Sequence, residues 1–298
     1  MLCPHCASMH TKIHGYRRNT DNDLMQRHLC RKCNHTFTIP YETQVQDSDT
    51  EDSVRVKSGG LLTFEYNGKI RIHGLTDVHV GANEHDHKKL KEAISVIKKD
   101  KFARWFGNGD LIECIPPNYH IPQRGQSMSP DDQYEEFIKL CRPIADKCLF
   151  IRGGNHDYLR SLRVLDFDIS RGIANALQVP YYELPGYTSI VTSGRTWNLV
   201  SGHGTSGAKN GDLELDRLAA VYSDGDVFFL GHNHQLYTKP IDSIAIYNNE
   251  ETLHRRWYIR GGSFLRYADY ARYSMYQIVR TGWVTMEFDQ DRIECWVN

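Results

Sequence analysis

The sequence predicts an α/β domain preceded by a small metal-held module, and three observations carry that prediction. From residue 70 onward, apolar strand-like runs alternate with helical patterns, the order expected where helices cover a sheet. Five of those runs end in short polar clusters of Asp, Asn and His. Four of the eight cysteines fall in the first 33 residues, as two C-x-x-C pairs. The composition agrees: with 40% hydrophobic and 24% charged residues the chain is too apolar for a disordered one, and a net charge of -1 is no basic tail. Since no apolar run approaches the roughly 18 residues that cross a bilayer, and Met1 to Cys6 lacks the features of a signal peptide, the expectation is a cytoplasmic protein without a membrane partner.

The first element spans residues 1–40. Cys3-Pro4-His5-Cys6 and Cys30-Arg31-Lys32-Cys33 are separated by 23 residues, a spacing that sets four thiolates around one structural Zn2+. The competing readings are a disulfide pair, which lacks a secretion signal, and a redox C-x-x-C, which lacks a βαβ context. Forty residues bury too little apolar surface to fold alone, so the metal would supply the folding free energy. The segment resembles the zinc ribbons of transposases and of phage or plasmid DNA-processing proteins, in its C-P-x-C opening, its basic hairpin and the aromatic strand His35-Thr36-Phe37-Thr38. That resemblance implies DNA contact, in a host cytoplasm if the chain is phage-encoded. A ribbon that recruits a protein partner fits Lys12, Arg17, Arg18, Arg27, Arg31 and Lys32 equally well.

Residues 41–60 carry Glu42, Asp47, Asp49, Glu51 and Asp52 and read as an acidic flexible linker. Leu62 to Tyr66, Asn67-Gly68 and Lys69 to His73 read as a β-hairpin opening the domain at 61–298. Helices are expected near 84–99, 130–145, 159–177 and 212–222.

The strand-end clusters are Thr76-Asp77-Val78-His79, Gly107-Asn108-Gly109-Asp110, Gly153-Gly154-Asn155-His156-Asp157, Ser201-Gly202-His203 and Gly231-His232-Asn233-His234. A lone histidine of this kind is more often structural than a ligand, but strand ends in an α/β sheet face one crevice, so five clusters can converge there. Hard oxygens mixed with imidazole suit Mn2+ first, or Fe2+ or Zn2+, and a pair of such ions about 3.5 to 4 Å apart would clamp a phosphate.

In this order the clusters resemble the calcineurin-like metallophosphoesterases over roughly residues 70 to 240. The resemblance implies a four-layer αββα sandwich. It also implies that Asp77, His79, Asp110 and His234 hold one metal and Asp110, Asn155, His203 and His232 the second, with Asp110 bridging. His156 would be the general acid or an electrostatic stabiliser, its ring oriented by Asp157. Gly202 to Gly207 mimics a dinucleotide fingerprint, but Asp226 precedes its strand where the ribose-binding acid should end one.

The local variants depart from protein phosphatases, which have Asp-Arg-Gly after G-D and a Glu in place of Asp157. Thr76 to Gly81 instead looks like the opening of the double-strand-break repair nucleases. The expected function is therefore a metal-dependent phosphodiesterase acting on nucleic acid, DNA first. The alternative is a phosphomonoesterase or small nucleotide hydrolase whose ribbon is an interaction module. His120 and Arg124, in the loop after Asp110, and Lys209 are candidate substrate contacts. Residues 254–280 interleave six arginines with aromatics, a pattern that can track a phosphate backbone or form a packed capping sheet.

Overall fold

The computed structural model describes residues 3–6, 8, 11–18, 24–40, 53–56, 61–117, 119–120, 123–205, 207, 210–247, 250–267, 272–273, 275 and 278–298. The chain divides into two units, Met1–Glu65 and Tyr66–Asn298. In the first, β1 (Thr11–Arg18), β2 (Leu24–Cys30) and β3 (Thr36–Pro40) form an antiparallel sheet in that order. Within the expected linker, Ser53–Val56 form β4, which pairs antiparallel with β5 (Leu62–Tyr66). The rest of 41–60 lies outside the described residues.

The expected hairpin across Asn67-Gly68 does not form. β6 (Ile70–Leu75) pairs with β7 (Ala103–Asn108) and with β15 (Val284–Phe288), not with β5. Gly68 has φ +93°, but Asn67 is not left-handed as a type I′ turn needs, so the chain only bends there. Alternating burial tells a strand from a helix but carries no information about which strand lies beside it.

In the second unit, one sheet has the order β16 (Ile293–Val297), β15, β6, β7, β8 (Cys148–Arg152), β9 (Tyr181–Tyr182), with β6 to β9 parallel. The other contains, in order, β13 (Leu236–Tyr247), β14 (Glu250–Gly261), β12 (Val227–Leu230), β11 (Arg195–Gly202) and β10 (Gly186–Thr192). The five strands that end in the Asp, Asn and His clusters are thus split between two sheets. Their inner faces meet through aromatic rings: Phe106 stacks on Phe150 at 4.9 Å and meets Phe229 edge-on at 5.0 Å.

Helices cover both outer faces, completing the αββα layering. α1 (His87–Lys99) starts where Asp86 accepts the Lys89 N–H, and its Leu90, Ala93 and Ile97 lie one turn apart on the buried stripe. α2 (Pro130–Cys141) is capped by Ser129, with Pro130 in the first turn, where its missing N–H costs nothing. The helix expected over 159–177 is broken into a π-helical turn (Asn155–Arg160), α3 (Ser161–Leu165) and α4 (Ile169–Leu177); Asp166, at φ +50°, makes the break and Asp168 caps the restart. Helices α1, α2 and α4 bury Ile97, Phe137 and Ile173 against Trp105 and Ile151. α5 (Asp212–Val221) sets Leu215 against Val200 and Phe228 of the other sheet. No helix among the described residues is long and apolar enough to cross a membrane.

Candidate metal centres

In the amino-terminal unit the two knuckles bring the four cysteines together. Cys3 Sγ lies 3.7 Å from Cys33 Sγ, and Cys6 Sγ 3.6 Å from Cys30 Sγ. Four sulfurs at Zn–S distances of about 2.3 Å around a tetrahedral ion stand about 3.8 Å apart, so the thiolates fit Zn2+. A disulfide would need sulfurs about 2.05 Å apart. The turns are held by the backbone: Cys3 N–H donates to Ser8 O and Cys30 N–H to His35 O. Asn34, at φ 56°, closes the second knuckle.

In the second unit, the loops after β6, β7, β8, β11 and β12 converge. Asp77, His79 and His234 form one group of ligand atoms and Asp110, His203 and His232 another. Asp77 Oδ1 is 3.3 Å from His234 Nε2, and the Nε2 atoms of His79 and His234 are 3.3 Å apart. In the second group Asp110 Oδ2 is 3.2 Å from His203 Nε2, while Asn155 Oδ1 lies 3.1 Å from His203 Nε2 and 2.8 Å from His232 Nδ1. Ligands bonded at about 2.1 Å stand about 3.0 to 3.4 Å apart around one ion, so both groups have the spacing of a divalent-metal shell.

Surrounding groups aim these atoms. Asn108 O takes the Nδ1–H of His203 at 2.8 Å, leaving Nε2 for a metal. Thr76 Oγ1 donates to Asp77 Oδ2 at 2.6 Å, and His232 N–H reaches the same carboxylate. Asp77, His79, Asp110, His232 and His234 all have φ between 50° and 69°, the left-handed region that non-glycine residues avoid at a cost of about 1 kcal/mol or more each. The backbone is held there by ladder-like bonds, Asp77 N–H to Gly109 O and His79 N–H to Asp110 O. A methyl group on Gly154 would collide with Asp110, which explains the glycine before Asn155.

Burial pushes Asp77 up, but His203 and His234 outweigh it and hold the carboxyl at about 2. Asp110 is likewise driven well below its usual range, chiefly by His203 and His156 against burial. His203, whose burial favours the neutral ring, is pulled up to about 10 by Asp110 and Asp77. The metal-free site therefore balances its buried carboxylates with a protonated His203, a charge that metals would replace.

His156 lies beside both groups, its Nε2 3.8 Å from Asp110 Oδ2. Asp157 does not orient its ring. The Asp157 carboxylate accepts the N–H of Leu111 at 2.7 Å and of Gly154 at 2.8 Å, tying the two ligand loops together. The carboxylate at His156 is Glu113: its Oε1 is 3.4 Å from His156 Nδ1, its Oε2 is 2.9 Å from His79 Nδ1, and its backbone O takes His156 Nδ1 at 2.9 Å. Arg160, nearly buried, donates from Nη1 to Glu113 O and Cys114 O and from Nη2 to His156 Nε2 at 3.1 Å. A guanidinium only donates, so here His156 Nε2 accepts and its proton sits on Nδ1. Glu113 and Arg160 escaped the sequence reading, since neither stands in a cluster. The one signal was an acid three residues after Asp110 in an otherwise apolar stretch.

His120 and Arg124 are exposed, on the loop after Glu113, and Lys209 lies outside the described residues. The arginine and aromatic run is not one face. Arg260 is fully buried and holds Gly211 O, Gly231 O and Glu214; Phe264 is in the core; Arg255 pairs with Asp242; and Tyr270 and Tyr276 lie outside the described residues.

Fold and site define the class: a two-sheet α/β domain with groups at its strand ends that could hold divalent metals, in a chain that also carries a four-cysteine cluster. No protein-family model and no curated protein matches the chain. Among solved structures, Vps29 from Entamoeba histolytica complexed with Zn2+ is similar over 77% of this chain and 98% of its own, at 12% identity and a TM-score of 0.41. Vps29 from Cryptosporidium parvum covers 78% and 97%, at 10% identity and a TM-score of 0.43. A conserved uncharacterized protein (predicted phosphoesterase) from Streptococcus pneumoniae covers 77% and 98%, at 14% identity and a TM-score of 0.35. At these values no chemistry is transferred from them.

Proposed function

We propose that the protein is a metal-dependent phosphodiesterase that hydrolyses nucleic acid, DNA first. The observation that carries this reading is the convergence of Asp77, His79, Asp110, Asn155, His203, His232 and His234 into two groups with metal-shell spacing, beside His156 and the cationic Arg160. Asp77, His79 and His234 would hold one ion and Asp110, Asn155, His203 and His232 the other, with Asp110 bridging. Mn2+ is the first choice for this donor set, with Fe2+ or Zn2+ next. When bound, the metals supply the positive charge that polarises a phosphoester and activates water.

The protein's own groups do the rest. Glu113 holds the rings of His79 and His156, and Asp157 locks the loops that carry Asp110 and Asn155. His156 Nε2 accepts from Arg160, so His156 acts first by holding the Arg160 guanidinium, whose charge stabilises a phosphoryl or leaving oxygen. Protonation of the leaving group by His156 would require Arg160 to withdraw. The zinc ribbon, with exposed Lys12, Arg27, Arg31 and Lys32, assists by contacting DNA or a protein partner.

The test is hydrolysis of bis-p-nitrophenyl phosphate, p-nitrophenyl phosphate and labelled single- and double-stranded DNA with Mn2+, in wild type and in Asp110→Asn. Diester and DNA cleavage lost in the variant supports the reading. Monoester cleavage with DNA untouched would establish the phosphomonoesterase alternative.

A further inference from the structure

The β13–β14 ribbon extends beyond the sheet that carries it. β12 pairs with β14 only from Trp257 to Arg260, whereas β13 and β14 remain paired as far as Tyr247 and Glu250. Along residues 250–256, therefore, the edge of β14 away from β13 has no strand partner among the described residues. Ile244, Ile246 and Leu253 project from this part and are 72%, 79% and 70% exposed. Ile244 lies opposite Leu253 in the register, so they share one face. A two-stranded ribbon beyond its sheet is marginal in water, and an open edge is a template for another strand.

The residues along that edge identify the strand it fits. Glu250-Glu251-Thr252-Leu253-His254-Arg255-Arg256 is complementary to itself when reversed about Leu253. An antiparallel two-fold pairing sets Glu250 opposite Arg256, Glu251 opposite Arg255, Thr252 opposite His254, and Leu253 opposite its own copy. Each cross-strand pair is favourable, and the arrangement is isologous, as a closed dimer requires. On the other edge of the ribbon, Pro240 of β13 has no N–H to donate, which favours the β14 edge for pairing. Nucleic acid is the poorer occupant, since Asp242, Glu250 and Glu251 outnumber Arg255 and Arg256; Arg255, which bonds Asp242 at 2.7 and 2.8 Å within the ribbon, would share its guanidinium with Glu251 of the second copy.

We propose that a second copy of this chain pairs with residues 250–256 of β14, joining two ribbons into one four-stranded sheet. The contact is small, so the association is weak and concentration-dependent.

The test is sedimentation velocity of the full chain from about 1 to about 200 µM, a range suited to a small interface. The variants are Glu250→Arg with Glu251→Arg, and Arg255→Glu with Arg256→Glu. Wild type should dimerise as concentration rises, and each double variant alone should associate at least about tenfold more weakly, since all four ion pairs become like-charge contacts. An equimolar mixture of the two should regain the dimer, because every pair is then complementary again, and that recovery also shows that both variants fold. A wild type that stays monomeric throughout, variants that dimerise as wild type does, or a mixture that fails to recover would overturn the proposal.

Discussion

Gly154 offers the sharpest test of how the backbone builds the site. A Cβ there would lie 2.9 Å from Asp110 Cγ, and closer still to Asp110 Oδ1 and backbone N. Ordinary contact is about 3.5 Å, so the Asp110 carboxylate or the 153–157 loop must move by at least about 0.6 Å. Asp110 cannot swing away freely: it is 2% exposed, its Oδ1 accepts the His156 N–H at 2.8 Å, and its own carbonyl takes the His79 N–H. Gly154→Ala should therefore destabilise the domain by about 1–3 kcal/mol, the usual cost of overpacking. A displacement approaching 1 Å at a catalytic group costs about 100-fold, so kcat/KM on bis-p-nitrophenyl phosphate should fall by about that factor. One divalent ion per chain should be lost by elemental analysis. Gly186→Ala, with open space around its Cβ, is the control. A Gly154→Ala protein that keeps its metal content and its kcat/KM would refute the assignment of Asp110 to a metal.

Three further outcomes are expected. Cys33→Ser should lose one zinc equivalent and unfold the amino-terminal unit, measured by elemental analysis and limited proteolysis; retention of zinc by the variant would argue against the four-thiolate site. His156→Asn should slow p-nitrophenyl and poor-leaving-group diesters about equally, by about 100-fold or more, if His156 and Arg160 act as an electrostatic clamp; a loss confined to poor leaving groups would restore the general-acid role. His203, raised to about 10 in the metal-free protein, contributes stability that is fully present below its unfolded value near 6.5 and is lost as pH rises through 10. Metal-free protein should therefore lose thermal stability across that window, and metal binding near pH 7.5 should release a proton, read as a buffer-dependent enthalpy in titration calorimetry. No buffer dependence would show that His203 is already neutral.

The legible parts of the site were those with local chemistry. Two C-x-x-C knuckles need only short turns to present their thiolates, so Cys3, Cys6, Cys30 and Cys33 could be read from spacing. The strand-end clusters were legible for a similar reason: an apolar run must stop where the chain turns polar, and the loop leaving a parallel strand faces the crevice. The helix over 159–177 was misjudged because helical spacing of apolar residues continues through Asp166, whose left-handed backbone breaks it.

Residue types and order along the chain thus determined the α/β class, the five turns that carry the Asp, Asn and His clusters, and the four-cysteine cluster, because strand periodicity, turn chemistry and residue spacing act over a few residues. Only the tertiary structure decided which strands are neighbours, that β5 and β6 part company, and that the five turns come from two sheets. It alone decided that Glu113 rather than Asp157 meets His156, that Arg160 occupies His156 Nε2, and that Arg260 is a buried brace. Those contacts join residues up to 49 positions apart, and a carboxylate or guanidinium declares no partner until packing has excluded water and left it one group to satisfy.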